Sequence, residues 1–149
     1  MAKAASSSKA PQSSKKVSAH EALVYVMIMA SAVDRIMSDE EMESIGLIVR
    51  RVPAFDGFDS KRLLRVAQDC SDVLARADGF NTALTLIERS LPKDMYETAY
   101  AFAVEVMAVD KTVNLEEVRL LEILAERLQI TELVTAAVKH SAEARLRIL

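Results

Sequence analysis

The sequence predicts an all-α fold, a compact bundle of about seven helices, and three observations support this prediction. Apolar residues make up 51% of the 149 residues, which is enough for a sizeable core and excludes disorder for most of the chain. Glycine and proline number only three each, too few for the many turns of a β-rich fold of this length. Apolar residues also recur at spacings of three and four, as expected for helices that bury one face.

An internal duplication organises the predicted bundle. When the sequence is shifted by 76 residues, AVDRIMSDEEMESIGLIVRR (32–51) aligns without a gap on AVDKTVNLEEVRLLEILAER (108–127). Each copy is predicted to form a helix, a short acidic turn and a second helix. The first helices, about 19–35 and 94–111, are apolar nearly all round, so we expect them to pack together at the centre of the domain.

The remaining helices are predicted to be amphipathic, each with one apolar stripe that faces the core. They are expected over about 39–51, 59–77, 80–91, 115–129 and 131–147. The stripes include Cys70, Phe80, Val118 and Leu133. These four side chains are therefore predicted to contribute to the core.

Charge is distributed unevenly along the chain. Residues 1–18 are rich in serine, alanine and lysine and lack apolar periodicity, which predicts a disordered tail before a helical domain over 19–149. Residues 1–16 contain four lysines and no acid, whereas the other 133 residues carry 15 basic and 22 acidic side chains, a balance of −7. Binding to phosphate requires a basic surface, so no nucleic-acid partner is expected for this acidic body.

A cytoplasmic location is predicted. The single cysteine, Cys70, cannot form a disulfide within the chain, and its place on an apolar stripe predicts a buried, inert thiol. The apolar run 22–33 follows several lysines and contains Ala30-Ser31-Ala32, which is similar to a signal-peptidase site. However, this run is too short to span a bilayer, and its removal would destroy half of the repeat, so we interpret it as a core helix.

The two acidic turns are the candidate functional sites. They share the order Asp, three residues, Ser or Asn, two residues, Glu, in Asp34-Ser38-Glu41 and Asp110-Asn114-Glu117. The serine and the asparagine are typical N-caps, and the glutamates complete capping boxes, which gives them a structural explanation. The aspartates are harder to explain, because the helix dipole disfavours a carboxylate where a helix ends. Turn amides, the adjacent Arg35 and Lys111, or a bound cation could offset this cost, and these alternatives stay open.

No pattern typical of an active site accompanies these turns. The three glycines are scattered, which excludes a P-loop and a dinucleotide fingerprint. His20 and His140 lack zinc-binding spacing and are interpreted as surface or partly packed residues, and no serine or cysteine has a recognisable base partner. We therefore expect a protein that is not an enzyme and has no small-molecule substrate. The alternative is a metal-dependent enzyme or metal-sensing subunit that uses the same acidic residues.

The double motif resembles the TerB-like tellurite-resistance family of bacteria. Members have an apolar helix that ends near an Asp-Gly pair, a short turn, and a Glu seven residues after the Asp. The segments MASAVDRIMSDEEMESIG and MAVDKTVNLEEVRLLE are similar to this pattern, with Arg35 and Lys111 in place of the glycine. The resemblance covers roughly 19–147.

The resemblance implies a compact all-helical fold and an acidic surface that binds a metal ion. It makes Asp34, Glu41, Asp110 and Glu117 the candidate ligands of a divalent cation, Ca²⁺ or Mg²⁺. It also implies a role in stress-response complexes, some of them associated with the membrane. The expected function is thus a non-catalytic interaction module of bacterial tellurite or stress response that binds protein partners.

Overall fold

Seven α-helices make up most of the described part of the chain, which in this computed structural model comprises residues 16–33, 37–109 and 114–149. They are α1 (Ala19–Ala32), α2 (Asp39–Arg51), α3 (Leu63–Leu74), α4 (Gly79–Ser90), α5 (Tyr96–Met107), α6 (Leu115–Arg127) and α7 (Glu132–Arg145). Three short 3-10 turns also occur, at Pro53–Phe55, Ser60–Arg62 and Lys93–Met95. The prediction of an all-α fold with seven helices is confirmed, and no strand occurs within these ranges.

The central helix, α1, is buried on every side. All ten residues from Ala22 to Ser31 are buried, so this helix has no solvent-facing stripe over that length. Its most extensive contact is with α5, and α3 and α4 cover other sides. Tyr25 and Ser31 carry the polar groups among the ten, and the Ser31 hydroxyl donates to the Met27 carbonyl at 3.0 Å. The predicted packing of the two apolar helices against each other is confirmed.

The outer helices α2, α6 and α7 pack on α5, and α6 also contacts α4. A guanidinium links α6 to α4, because Arg127 binds the Glu88 carboxylate and also donates to Asn81 Oδ1 at 2.9 Å. Another links α7 to α5, where Arg145 donates from two nitrogens to the two Glu105 oxygens at 3.0 and 2.6 Å. These forked pairs fix the outer helices at their exposed edges.

The turn between α3 and α4 requires glycine. Asp78 has a left-handed backbone with φ of 56°, and Gly79 then begins α4 against the end of α3. A Cβ at Gly79 would lie 2.3 Å from the Val73 carbonyl oxygen and 2.6 Å from that of Leu74. No side chain fits at these distances, so the close approach of α4 to α3 depends on Gly79.

Three side chains that were predicted to lie in the core are exposed. Phe80 is 41%, Val118 37% and Leu133 81% exposed, so these predictions were wrong. Periodicity identifies an apolar face but not whether another helix covers all of it. The last helix shows the reason most clearly, because α7 packs mainly on α5 and buries only Ala142.

Two residues that were assigned to the tail precede α1 and contact the helical domain. Val17 is buried, and Ser18 caps α1 in a capping box with Glu21. Residues 1–15 of the predicted tail lie outside the described residues. Within the described ranges, none of the helices has the length and apolar character needed to cross a membrane.

The thiol of Cys70 is buried, as predicted. It lies on α3 against α1, with its Sγ 3.9 Å from the Tyr25 carbonyl oxygen. Burial raises the pKa of Cys70 to about 12, because an apolar environment disfavours the thiolate. The group is therefore protonated at neutral pH and is a poor nucleophile.

Candidate functional site

The second helix of each copy begins with the same capping box. At α2, Ser38 Oγ accepts the Glu41 N–H at 3.1 Å, and Glu41 Oε2 accepts the Ser38 N–H at 3.3 Å. At α6, Asn114 Oδ1 accepts the Glu117 N–H at 2.8 Å, and Glu117 Oε2 accepts the Asn114 N–H at 3.3 Å. The two capping boxes confirm the helix caps that the sequence predicts. Each box satisfies two backbone N–H groups near the start of its helix.

The capping boxes divide the acidic residues into two kinds. Glu41 and Glu117 are only 6% and 2% exposed, and their carboxylates hold the caps. Their neighbours Glu40 and Glu116 are exposed in the same first turns. One glutamate of each pair is therefore structural, and the other presents its charge to solvent at the positive end of a helix dipole.

The structure describes two of the four candidate metal ligands. Glu41 and Glu117 lie in their own capping boxes, whereas Asp34 and Asp110 fall outside the described residues. Carboxylate oxygens are suitable donors for Ca²⁺ or Mg²⁺, but one oxygen of each glutamate already accepts a backbone N–H. Across 16–33, 37–109 and 114–149, no three His, Cys, Asp or Glu side chains come together as a metal site. Cation binding thus stays a prediction.

A shallow apolar groove lies beside the start of α6. Its volume is about 410 Å³, and it is lined by Val33, Phe80, Leu115, Glu116, Arg119, Leu120 and Ile123. The groove thus runs between the end of α1, the start of α4 and one face of α6. Leu115, the first residue of α6, is 87% exposed at its edge. We call this surface the α6 groove.

Periodicity did not reveal the α6 groove, but the repeat contains a signal for it. Leu115 aligns with Asp39, the first residue of α2. An acidic residue suits this position, because the first turn carries unpaired N–H groups and a positive dipole end. The second copy therefore has an exposed leucine where the first has an acid, and the two helix starts differ in surface chemistry.

The two histidines occupy ordinary structural positions. His20 is half-buried, with its ring centroid 6.0 Å from that of Phe55 and 5.6 Å from that of Phe58. His140 is exposed on α7. The interpretation of both as surface or partly packed residues is confirmed.

Comparisons of the chain with protein-family models, with curated proteins and with solved structures found no match. The resemblance to the TerB-like family therefore rests on the acidic motifs. The function is argued below from the arrangement of these motifs on the helical body.

Proposed function

We propose that this chain is a non-catalytic interaction domain that binds protein partners through the exposed starts of α2 and α6. By the resemblance of its acidic motifs to the TerB-like family, we place this role in bacterial tellurite or stress response, with partners in the cytoplasm or at the membrane. The observation that carries the proposal is that the two adjacent glutamates of each helix start have different roles. Each box fixes one glutamate by backbone hydrogen bonds and leaves the next one exposed.

Exposed charges on a fixed backbone are suited to recognition. The backbones of Glu40 and Glu116 are held on the first turns of well-packed helices, so little backbone conformational entropy is lost when a partner binds them. The acidic balance of the chain beyond residue 16 would speed the approach of a basic partner. The large exposed apolar side chains near α6 would add contact area.

Burial also makes three ionisable groups of the described residues unsuitable as nucleophiles. Burial raises the pKa of Tyr25 and of Cys70 to about 12, and it raises the pKa of Tyr100. All three groups are therefore held in their protonated, less nucleophilic forms at neutral pH. A general base or nucleophile would need the opposite shift or a pKa near neutrality.

The test is co-purification from cytosolic and membrane fractions with the full chain as bait. We expect specific partners that are lost from the double variant Glu40→Lys/Glu116→Lys. The matched control is Glu132→Lys, which reverses an exposed charge in the first turn of α7 and has the same unfavourable effect on a helix dipole. Equal recovery of partners by both variants would refute a role for the acidic helix starts.

A parallel screen for hydrolase and phosphatase activity addresses the alternative of a metal-dependent enzyme. We expect no turnover above that of a mock preparation, with or without added Mg²⁺. Turnover that disappears in Asp34→Ala would instead establish an enzyme that uses the acidic turns.

A further inference from the structure

The α6 groove is an apolar surface that no described residue covers. Phe80 is 41% exposed and Leu115 is 87% exposed, and both line the same concave surface. Half-buried Val33 and Ile123 and buried Leu120 complete its apolar floor. Exposed apolar side chains that share one concave surface are candidates for contact with a protein partner.

The charges at the rim of the groove indicate which partner suits it. Glu116 lines the groove and is exposed. Arg119 also lines it, and its guanidinium lies 3.3 Å from the Glu122 carboxylate, so Glu116, Arg119 and Glu122 together carry a net charge of −1. The rim is therefore net acidic, in keeping with the balance of −7 for the 133 residues beyond residue 16.

A second copy of the chain is a poor occupant, because two acidic bodies repel each other. A basic segment with apolar side chains meets both requirements of the groove. The groove lies between helix surfaces, whose ridges and furrows accept a further helix through residues spaced three and four apart.

We infer that the α6 groove binds an amphipathic helix of a partner protein, with an apolar face that covers Phe80 and Leu115 and flanking Lys or Arg residues that face Glu116. This inference rests on the proposed function and adds the location and the chemistry of the partner. The acidic residue at the rim selects for basic partners, and the apolar floor provides the buried contact.

A second groove, between α2, α5 and α7, is larger, at about 470 Å³, and is also mainly apolar. Its charged lining residues, Glu105 and Arg145, neutralise each other in a forked pair. Its lining therefore gives no charge that would select an occupant.

The experiment uses a synthetic Leu/Lys peptide of about 18 residues, or five helical turns, with leucines spaced three and four apart. Binding to the full chain is measured by fluorescence anisotropy and located by amide chemical shifts in NMR spectra. Two control peptides are a Leu/Glu peptide of the same pattern and a Ser/Lys peptide with the same charge but no apolar face. The variants are Leu115→Lys and Phe80→Lys, and the matched control is Leu133→Lys, an exposed leucine in the first turn of α7.

We expect saturable binding of the Leu/Lys peptide, shift changes at Val33, Phe80, Leu120 and Ile123, and a loss of affinity of about tenfold or more in Leu115→Lys and Phe80→Lys. The Leu133→Lys variant and the wild type should bind alike, and both control peptides should bind weakly. Equal binding of the Leu/Lys and Leu/Glu peptides would overturn the assignment of a basic partner. Wild-type self-association in sedimentation experiments that Leu115→Lys abolishes would show that a second copy occupies the groove.

The inference and the proposed function can fail separately. If natural partners co-purify and are lost from Glu40→Lys/Glu116→Lys but not from Leu115→Lys, the α6 groove is not their docking site. If the peptide binds as described but no natural partner is found, the inference about the groove is supported and the proposed cellular role is not.

Discussion

Arg127 on α6 binds Glu88 on α4 through two guanidinium nitrogens, while its third nitrogen donates to Asn81 Oδ1 at 2.9 Å. The Arg127 and Glu88 side chains are 30% and 29% exposed, so the pair is less hydrated than an ordinary surface ion pair. The Glu88 hydrogen bond raises the pKa of Arg127 above its ordinary value. The fork fixes both the distance and the rotation of α6 relative to α4.

Replacement of Arg127 by alanine should lower the free energy of unfolding by about 1 kcal/mol, because it removes the fork and leaves Glu88 partly buried without this partner. Lysine should restore less than half of the loss, since it cannot reproduce the forked geometry. The control is Arg119→Ala, which breaks a more exposed pair with Glu122 and should have an effect below about 0.5 kcal/mol. Urea denaturation measures the free energy of unfolding of both alanine variants. Equal losses would show that the forked pair stabilises the fold no more than the exposed pair does.

The helix caps should contribute independently to stability. We expect Ser38→Ala and Asn114→Ala each to lower the free energy of unfolding by about 1 kcal/mol, because each removes the side-chain acceptor of one backbone N–H, that of Glu41 or of Glu117. Ser38→Asp should be tolerated, since aspartate is also a good N-cap. The measurement is chemical denaturation with helicity followed by circular dichroism. Wild-type stability in both alanine variants would contradict a structural role for the boxes.

Two glycines should respond in opposite directions to replacement by alanine. At Gly79 the new Cβ would meet the Val73 carbonyl oxygen at 2.3 Å, and separation of α4 from α3 should cost about 3 kcal/mol. At Gly46, inside α2, the nearest atom is the flexible Arg50 guanidinium at 3.2 Å. There the higher helix propensity of alanine should raise stability by about 0.5–1 kcal/mol. The measurement is thermal unfolding of the two variants. Unchanged stability in Gly79→Ala would show that the α3–α4 turn can shift to accommodate a Cβ at little cost.

Alkaline pH should destabilise the fold through its buried acids. Burial raises the pKa of Cys70 from 9.0 to about 12 and that of Tyr25 from 10.0 to about 12. The native state keeps these protons while the unfolded state loses them, so the associated stability is complete below about pH 9 and is lost progressively towards pH 12. The free energy of unfolding should therefore fall over this range, and less steeply in Cys70→Ala/Tyr25→Phe. An unchanged slope in that variant would assign the alkaline transition to other groups.

Cation binding at the acidic turns is expected to be weak, at millimolar concentrations of Ca²⁺ or Mg²⁺, because part of each described glutamate is used for capping. Titration should shift the amide signals of Glu41 and Glu117, and Asp34→Asn/Asp110→Asn should abolish the shifts without loss of the caps. The readout is the NMR spectrum together with calorimetry. An absence of cation-dependent shifts at these residues would end the metal-binding hypothesis.

The sequence predicted those features that depend on local chemistry. Residues such as Ser38 and Asn114 predict helix starts, because the same short segment supplies both the side-chain acceptor and the backbone donor. The central position of α1 also followed from composition, since a helix that is apolar all round must be covered all round. Exposure at Phe80 and Leu133 could not be predicted in this way, because it depends on how many neighbours the fold places against α4 and α7. The α6 groove was missed for the same reason: it is formed by three helices that are distant in sequence.

The complete burial of α1 has a consequence for which substitutions the chain accepts. Along α2, positions that tolerate polar residues should recur with the period of the helix, because one side faces water. From Ala22 to Ser31 no such periodicity is expected. A scan with lysine or aspartate should destabilise the fold at all ten consecutive positions. Genetic variation in this segment should therefore be restricted to exchanges between apolar side chains of similar volume, independent of any function at the surface.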